Sequence, residues 1–353
     1  MKPRVAIGPA EVAGTSTALR DGLRSLDVDA EVAFWSPLPG SFPSPHTLGR
    51  AARAMYALRA PLRRDVLHYQ HGHTWVPGFA DARWAGWFRR LRVVTYHGDD
   101  CRTFATAHAF DWPLARFKDR AQDEPVRRRV EKLGELCAAA IVMDVELATY
   151  VAPFFERTYV LPIPLHEHRA PARSRRVDDR VRVLHAPSDE RVKGTADVRA
   201  AAAAAAQREP LEIDVVHGRP HADVLRHLAD ADVVVDQMHS ASASIFALEG
   251  MRAGLPVLTH LDRRALAPFH GDMPAVAVTA ETLADELVRL ARDPVLREEL
   301  GARGRDYVAR VHAATPAARA VLHAYDHARR GPPGVYWGDA DGVRPLRGTV
   351  LDA

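Results

Sequence analysis

Short apolar runs alternate with amphipathic segments along most of the chain. In the first half, five runs that are short and rich in β-branched residues predict buried strands at 4–8, 30–34, 65–69, 92–96 and 140–143. Most segments between them are helical, as at 17–26, where apolar residues recur at helical spacing. Strands that alternate with helices in this way predict a parallel sheet covered on both faces.

The same alternation restarts near residue 181, after the stretch 166–176, which has no apolar periodicity and is interpreted as a linker. Strands are predicted at 182–185, 211–216, 232–235 and 256–258, and helices at 195–208, 221–229, 245–253, 283–292, 294–311 and 316–329. The pattern therefore predicts two consecutive α/β domains of similar size. Ligands in such sheets bind beyond the carboxyl ends of the strands, so the cleft between the domains is the expected site.

The composition is that of an ordinary globular protein with 353 residues, 47% of them hydrophobic and 26% charged. Two cysteines, Cys101 and Cys137, exclude a disulfide framework and a cysteine-built zinc site. No apolar run approaches the roughly 20 residues that span a bilayer. The first residues lead straight into a predicted strand, without the apolar stretch of a secretory signal, so a cytoplasmic protein is expected.

The formal net charge of +3 does not predict a nucleic-acid partner. Only four of the 48 basic residues are lysines, and the excess of arginine and alanine is spread over the whole chain, as in proteins from GC-rich genomes. No specific nucleic-acid-binding motif is present. The arginine-rich helix at 50–59, with Arg63 and Arg64, has two interpretations: a face that binds an anionic membrane surface, or a solvated helix, which is favoured.

The most informative segment is 236–257. A strand ends at Asp236, small residues follow, and a helix begins near Ser244, so free N–H groups and the positive end of the helix dipole are open to an anion. Glu249 lies about one turn into this helix, where a carboxylate can accept hydrogen bonds from a ribose diol. The alternative is that Ser244 is an N-cap and Glu249 a solvated helix residue.

Residues 247–257 (ALEGMRAGLPV) resemble the signature region of GT-B glycosyltransferases, specifically the retaining, family-four-like (group 1 type) enzymes. That family has two glutamates separated by seven residues. Glu249 matches the second one, which binds the ribose of the nucleotide sugar. The first, which touches the donor sugar, falls at Ala241 and is missing, with Asp236 and Gln237 as candidate substitutes.

Further matches follow in the family's order. Residues 187–195 end in Lys-Gly-Thr, and the resemblance implies that Lys193 binds the diphosphate, with Arg191 in place of an arginine that the family has at position 188. The alternative for Lys193 is an exposed loop lysine. The resemblance also assigns donor-binding roles to the residues Gly14, Gly218, Ser244 and Ile245.

Residues 96–102 in the first half resemble the family's His-Gly-x-Asp segment, which makes His97 a candidate catalytic residue beside Lys193 and Glu249. The alternative is a strand-end histidine satisfied by backbone. Candidate acceptor-side residues are His71, Asp99, Asp100 and Arg102. His71 and His73 form a His-x-His pair, but no carboxylate or cysteine cluster accompanies it, so no metal site is predicted.

The resemblance implies an α/β fold of two tandem Rossmann-like, doubly wound domains that face each other across a cleft. The implied organisation is an acceptor-side domain at 1–164, a linker at 165–180, a nucleotide-sugar-binding domain at 181–312, a C-terminal helix at 313–330 that packs back towards the first domain, and a surface tail at 331–353. It implies transfer of a sugar from a nucleotide-diphosphate donor, a UDP- or GDP-sugar, with retention and without a metal or prosthetic group.

The acceptor is left open among a glycan, a lipid carrier, a small natural product and a nucleic-acid base. Two other functions compete with the transferase. One is a nucleotide-sugar epimerase of the same fold. The other is a non-catalytic protein that binds a nucleotide sugar, an alternative motivated by Ala241. A location at the inner face of the membrane is the alternative to a purely cytoplasmic one.

Overall fold

The computed structural model describes residues 2–35, 47–166 and 180–352, so most of the predicted linker at 165–180 lies outside the described residues. The strands are β1 (Val5–Gly8), β2 (Ala30–Val32), β3 (Val66–Gln70), β4 (Leu91–Thr95), β5 (Ala139–Val142), β6 (Arg157–Val160), β7 (Val181–His185), β8 (Leu211–Val215), β9 (Val233–Val235), β10 (Val257–Thr259), β11 (Val276–Ala277), β12 (Gly334–Asp339) and β13 (Gly342–Pro345).

The α-helices connect these strands, with short 3₁₀ turns among the connections. They are α1 (Thr15–Ser25), α2 (Arg50–Arg63), α3 (Ala80–Trp87), α4 (Phe104–Ala109), α5 (Asp123–Leu136), α6 (Val145–Val151), α7 (Glu190–Lys193), α8 (Thr195–Ala206), α9 (His221–Asp230), α10 (Ile245–Ala253), α11 (Leu283–Arg292), α12 (Pro294–Val311) and α13 (Ala314–Arg330). No helix within the described ranges is long and apolar enough to cross a bilayer.

The strands form two sheets, and each sheet defines one domain. The first has the order β13-β12-β6-β5-β4-β3-β1-β2 and the second the order β11-β10-β9-β7-β8. Every pairing is parallel except β12 with β13. The structure confirms the predicted class, an α/β protein with two doubly wound domains.

Each sheet has a point at which the direction of strand addition reverses. The chain passes from β1 to β2 on one side and then returns to β3 on the other side of β1. It does the same at β7, with β8 on one side and β9 on the other. A crevice opens beyond the carboxyl ends of the strands at such a point, and ligands of open α/β sheets bind there.

The central strands are apolar because both of their faces are covered. On one face of the first sheet, Leu67 and Val94 belong to the same hydrophobic cluster as Ala57 of α2 and Ala85 of α3. On the other face, strand residues such as Val5 and Ile7 cluster with residues of α1 and α13. Helix α13 therefore packs on the first domain although it follows the second in the chain.

The contact between α1 and α13 depends on a small residue. A Cβ atom added at Gly22 of α1 would lie 2.0 Å from the carbonyl oxygen of Ala314, at the start of α13. A second contact between α13 and the sheet is a hydrogen bond of Tyr325, whose hydroxyl lies 2.7 Å from Nδ1 of His68 on β3. The backbone approach at Gly22 and this buried hydrogen bond fix α13 on the first sheet.

The segment 331–353, expected to be a surface tail, forms a two-stranded edge of the first sheet, and most of its described residues are at least partly exposed. Strand β12 pairs in parallel with β6, and β13 turns back to pair antiparallel with β12. The Tyr336 side chain is buried, with its ring centroid 5.6 Å from that of Tyr159 on β6. The alternating pattern around Tyr336 spans only a few residues of a Gly- and Pro-rich segment, which concealed the strand.

Candidate functional site

Lys193 lies at the reversal point of the second sheet. Its Nζ is 3.4 Å from Oδ1 of Asp236, directly after β9, and 2.8 Å from Oε1 of Gln237. Asp189 fixes the turn that carries Lys193, because its carboxylate accepts hydrogen bonds from the amides of Arg191 and Val192 at the start of α7. The side chain of Lys193 is only 14% exposed, so its interpretation as an exposed loop lysine is wrong.

The amino terminus of α10 lies at the same carboxylate. The Ser244 amide donates to Oδ2 of Asp236 over 2.9 Å, and the Ser244 hydroxyl donates to Oδ1 over 2.5 Å. The Phe246 amide is capped by the Ser244 hydroxyl, whereas the amides of Ile245 and Ala247 have no acceptor among the described residues. Lys193 and two N–H groups at the positive end of a helix thus converge beside Asp236.

Glu249 is buried on α10, and its Oε1 lies 2.7 Å from Nε2 of His221 at the start of α9. Its interpretation as a solvated helix residue is therefore wrong. The other proposed role of Ser244, as an N-cap, is confirmed by its hydrogen bond from the Phe246 amide.

The structure does not bring Arg191 and Gly218 into this cluster. Arg191 is exposed on α7, and its side chain has no partner in the part of the chain that the structure describes. Gly218 follows β8 in an open loop, with a φ of 67° and no atom near the position of an added Cβ. That loop is tied to the end of β7 by His217, whose Nδ1 donates to the Pro187 carbonyl over 2.9 Å.

His97 follows β4 of the first sheet, and its Nε2 donates to Oε1 of Gln70 at the end of β3 over 2.9 Å. The ring is thus held by a side chain rather than by backbone. The His71 ring lies beside it, with a centroid distance of 6.3 Å. Burial lowers the pKa of His97 to about 4, so the imidazole is neutral near pH 7. With Nε2 protonated towards Gln70, Nδ1 carries the free lone pair.

The other acceptor-side candidates bond within the protein. The buried carboxylate of Asp100 accepts hydrogen bonds from the His97 and Gly98 amides, so it shapes the loop that presents His97. Arg102 forms a two-pronged ion pair with Glu146 on α6, with distances of 2.9 and 2.8 Å. Asp99 is exposed and paired with Lys118.

Glu11 occupies the amino terminus of α1, a feature that the sequence analysis missed. Its buried carboxylate accepts hydrogen bonds from the amides of Ser16 and Thr17, each over 3.1 Å, and from the Thr17 hydroxyl. Gly14, with a φ of 79°, starts this helix. The first-turn amides beside Gly14 are therefore satisfied internally, unlike those of α10.

A small cavity of about 40 Å³ lies next to His97. Its polar wall includes His68, which bonds through Nε2 to the Thr95 hydroxyl over 2.6 Å. Burial lowers the pKa of His68 to about 3, which keeps this ring neutral. No local pattern indicated His68, because it lies inside an apolar strand.

The two domains meet across the cleft through specific polar contacts. The Ser242 hydroxyl donates to Oδ2 of Asp144, which caps α6 after β5. Nη2 of Arg116 lies 2.8 Å from Nδ1 of His239, and Arg264 donates to the Phe110 carbonyl over 3.1 Å. The carboxyl ends of the two sheets therefore face each other.

Ala241 is buried in the hydrophobic cluster of the first domain. The suggested substitutes for the missing glutamate both have partners, since Asp236 accepts from Ser244 and Lys193, and Gln237 donates to the Ser242 carbonyl. Asp144, which was not predicted from the sequence, is a buried carboxylate held against Ser242, the neighbour of Ala241.

Metal-ligating side chains do not gather into a centre in the described segments, where no group of three or more His, Cys, Asp or Glu residues is placed to hold an ion. Cys101 and Cys137 are both buried as free thiols. Burial raises the pKa of each thiol, so neither is a ready nucleophile near pH 7.

No protein-family model matches the chain, and no curated protein is significantly similar to it in sequence. Its similarities are structural. A sucrose-phosphate synthase from Thermosynechococcus elongatus superimposes with a TM-score of 0.58 at 16% identity, over 89% of this chain and 95% of that chain. WaaG, a glycosyltransferase involved in lipopolysaccharide biosynthesis, has a TM-score of 0.56 at 14% identity, over 93% of this chain and 100% of that chain.

A third structure is a mutant of S. aureus TarM in complex with Fondaparinux, alpha-GlcNAc-glycerol and UDP, with a TM-score of 0.50 at 13% identity, over 75% of this chain and 56% of that chain. Identities this low establish the fold alone. The chain therefore has the GT-B architecture of two Rossmann-like domains across a cleft, and its function depends on the chemistry of the residues in that cleft.

Proposed function

We propose that the protein is a glycosyltransferase that transfers a sugar from a nucleoside-diphosphate sugar to an acceptor bound by the first domain. The observation that carries this proposal is the convergence of Lys193 and the free amides of α10 at the reversal point of the second sheet. An ammonium group and helix N–H groups suit a diphosphate. The glycosyltransferases among the structural neighbours support the same proposal.

The donor lies, in this proposal, along the second domain. Its diphosphate is held by Lys193 and by the Ile245 amide, and its ribose hydroxyls donate to the Glu249 carboxylate. UDP and GDP are the proposed carriers, and the TarM complex with UDP supports the first of them. Arg191 is exposed close to Lys193 in the chain and is proposed to approach the phosphates once a donor is bound.

The reaction breaks the bond between the anomeric carbon and the β-phosphate oxygen and forms a bond between that carbon and an acceptor oxygen. The acceptor proton goes to the departing phosphate, which leaves as the nucleoside diphosphate. Lys193 and the α10 amides stabilise the negative charge that develops on it. Departure and attack on the same face retain the anomeric configuration, and no enzyme nucleophile or metal is needed in this scheme.

His97 is proposed to face the donor sugar from the first domain. Its neutral ring is held by Gln70, and its loop is held by Asp100, so the free Nδ1 has a fixed position. A fixed neutral acceptor near the anomeric carbon orients a sugar or acceptor hydroxyl without adding charge. His71 and Asp99 are proposed to contribute to the acceptor side of the cleft.

The direct test is turnover of nucleotide sugars monitored by NMR, first alone and then with candidate acceptors. A transferase converts the anomeric signal of the donor into that of a product with the same configuration and releases one nucleoside diphosphate per transfer. A new ring configuration in the donor without an acceptor would instead identify an epimerase. Donor binding with no turnover under any condition would identify a non-catalytic binding protein, the alternative raised by Ala241.

A further inference from the structure

The exposed apolar side chains of this protein are concentrated at one place. Of the six large hydrophobic side chains that are exposed among the described residues, five lie on α2, on α3 or directly after α3, and Val295 is the exception. The five are Met55, Leu58, Leu62, Trp87 and Phe88. Trp87 is 78% exposed, which is far from the usual environment of a tryptophan.

These side chains belong to one surface. Met55, Leu58 and Leu62 recur at helical spacing along the outer face of α2, opposite Ala57 and Ala60, which face the core. Trp84 joins the two helices, because its Nε1 donates to the Leu58 carbonyl over 3.2 Å. Its ring also lies 5.4 Å from that of Trp87 and 4.9 Å from that of Phe88. We call Met55, Leu58, Leu62, Trp84, Trp87 and Phe88 the α2–α3 patch.

The exposed charges on α2 and α3 themselves are positive, and nearby acidic residues are paired, Glu31 with Arg64 and Asp65 with Arg90. The segments 50–64 and 80–90 contain eight arginines, and their only acidic residue is Asp81. The Asp81 side chain is buried and accepts a hydrogen bond from the Trp75 amide, so it does not offset the surface charge. Five of the arginines are exposed, namely Arg50, Arg59, Arg63, Arg83 and Arg89.

We infer that the α2–α3 patch binds the surface of an anionic lipid bilayer. Tryptophan is favoured in the headgroup region because its ring is amphipathic, phenylalanine adds apolar area beside it, and long arginine side chains reach the lipid phosphates around them. The one-sided positive charge is complementary to an anionic leaflet. This surface lies outside the donor cluster, so the inference stands independently of the proposed transfer reaction.

Most of the patch lies on the carboxyl-terminal halves of α2 and α3. Because the strands are parallel, α2 and α3 both begin near the carboxyl ends of the strands and end at the opposite edge of the sheet. Arg50 therefore lies towards the cleft and Trp87 away from it. A protein bound through this surface lies with the outer faces of α2 and α3 along the membrane.

The test is flotation of the full-length protein with vesicles of equimolar phosphatidylglycerol and phosphatidylcholine, against vesicles of phosphatidylcholine alone. We expect binding to the anionic vesicles only. Trp87→Ser and the pair Arg59→Gln with Arg63→Gln are each expected to weaken it about tenfold or more. Matched controls are Val295→Ser, which removes the remote exposed apolar residue, and Arg303→Gln with Arg319→Gln, which makes the same change in net charge.

Insertion is measured separately from adsorption. The fluorescence difference between wild type and Trp87→Phe isolates the emission of Trp87, which is expected to shift to shorter wavelength when anionic vesicles are added. Failure of the wild type to float with anionic vesicles would overturn the inference, as would equal losses in the control variants. Self-association without lipid that is abolished by Trp87→Ser, together with no flotation, would identify a protein partner instead.

Discussion

Ser242 of the second domain donates a hydrogen bond to Asp144 of the first, and the two residues are 98 positions apart in the sequence. Both groups are buried, so the bond joins the two domains directly at one point of the cleft. Asp144 also accepts from the Leu147 amide over 2.7 Å, which ties the contact to the start of α6. Any change in the spacing of the domains must break or move this bond.

The Asp144 contact predicts a dependence of stability on pH. Burial, with the nearby Glu146 carboxylate, raises the pKa of Asp144 to about 6, above its value in the unfolded chain. The folded protein therefore binds the Asp144 proton more tightly than the unfolded chain does. The stability that this bound proton contributes is present at low pH and is lost as the pH rises towards about 6. Relative to Asp144→Asn, which stays neutral, the wild type is expected to lose about 2 kcal/mol of unfolding free energy between about pH 4 and pH 7.

Urea unfolding of both proteins across that pH range measures this difference. A difference that does not vary with pH would show that Asp144 is not a buried, weakly acidic group.

Glu249 is expected to recognise the ribose of the donor. Glu249→Gln keeps an oxygen that can accept the hydrogen bond from His221, so the fold is expected to be retained, but it lowers the charge that accepts ribose hydroxyls. The wild type should bind a nucleoside diphosphate about tenfold more tightly than its 2′-deoxy form. The variant should discriminate less between them, and equal discrimination by the two proteins would remove Glu249 from the ribose site.

Gly22 is expected to be required for the contact between α1 and α13. Alanine is normally the better residue inside a helix, yet its Cβ would meet the Ala314 carbonyl oxygen. Gly22→Ala is therefore expected to lower the unfolding free energy by about 1–3 kcal/mol. Gly49→Ala is the control, because its Cβ meets no atom within 4 Å. A more stable Gly22→Ala protein would contradict the close packing of the two helices.

Tyr336 is expected to anchor the carboxyl-terminal hairpin. Its buried ring contacts the rings of Tyr159 and His327, and its hydroxyl donates to the Pro332 carbonyl over 3.0 Å. Tyr336→Ala should lower the unfolding free energy by about 3 kcal/mol. Val295→Ala, at a 62% exposed position, should change it by less than about 0.5 kcal/mol. Similar small effects in both variants would place the hairpin outside the folded core.

Helices and strands could be predicted where the hydrophobic periodicity continued over enough neighbouring residues. The helices at 245–253, 283–292 and 294–311 agree with the structure at both ends. Strands β6 and β11 were missed, since four and two residues show no clear periodicity. Strands β12 and β13 were concealed by glycine and proline, residues that usually indicate a loop.

Some residues of the candidate site could likewise be predicted from the sequence, and others could not. Lys193 and Ser244 each lie in the segment that leads from a strand to the next long helix, so local sequence was enough to predict that they lie at the edge of the sheet. Asp144 acts through its tertiary contact with Ser242, which no local pattern records, and Glu11 lies ahead of α1 in a loop without the usual capping pattern. Their carboxylates look in the sequence like ordinary polar residues near a helix start. The cytoplasmic location and the acceptor stay predictions.

The central claim is that the second domain binds a nucleoside diphosphate at Lys193, and isothermal titration with UDP, GDP, ADP and dTDP tests it most directly. We predict that one of them binds the wild type and that Lys193→Ala weakens this binding about tenfold or more. The control Lys132→Ala, at a half-buried lysine of α5 that pairs with Glu135, should bind like the wild type. Thermal unfolding of each variant checks that the fold survives when Asp236 loses its cation. The account is contradicted if none of the four binds, or if folded Lys193→Ala binds as tightly as the wild type.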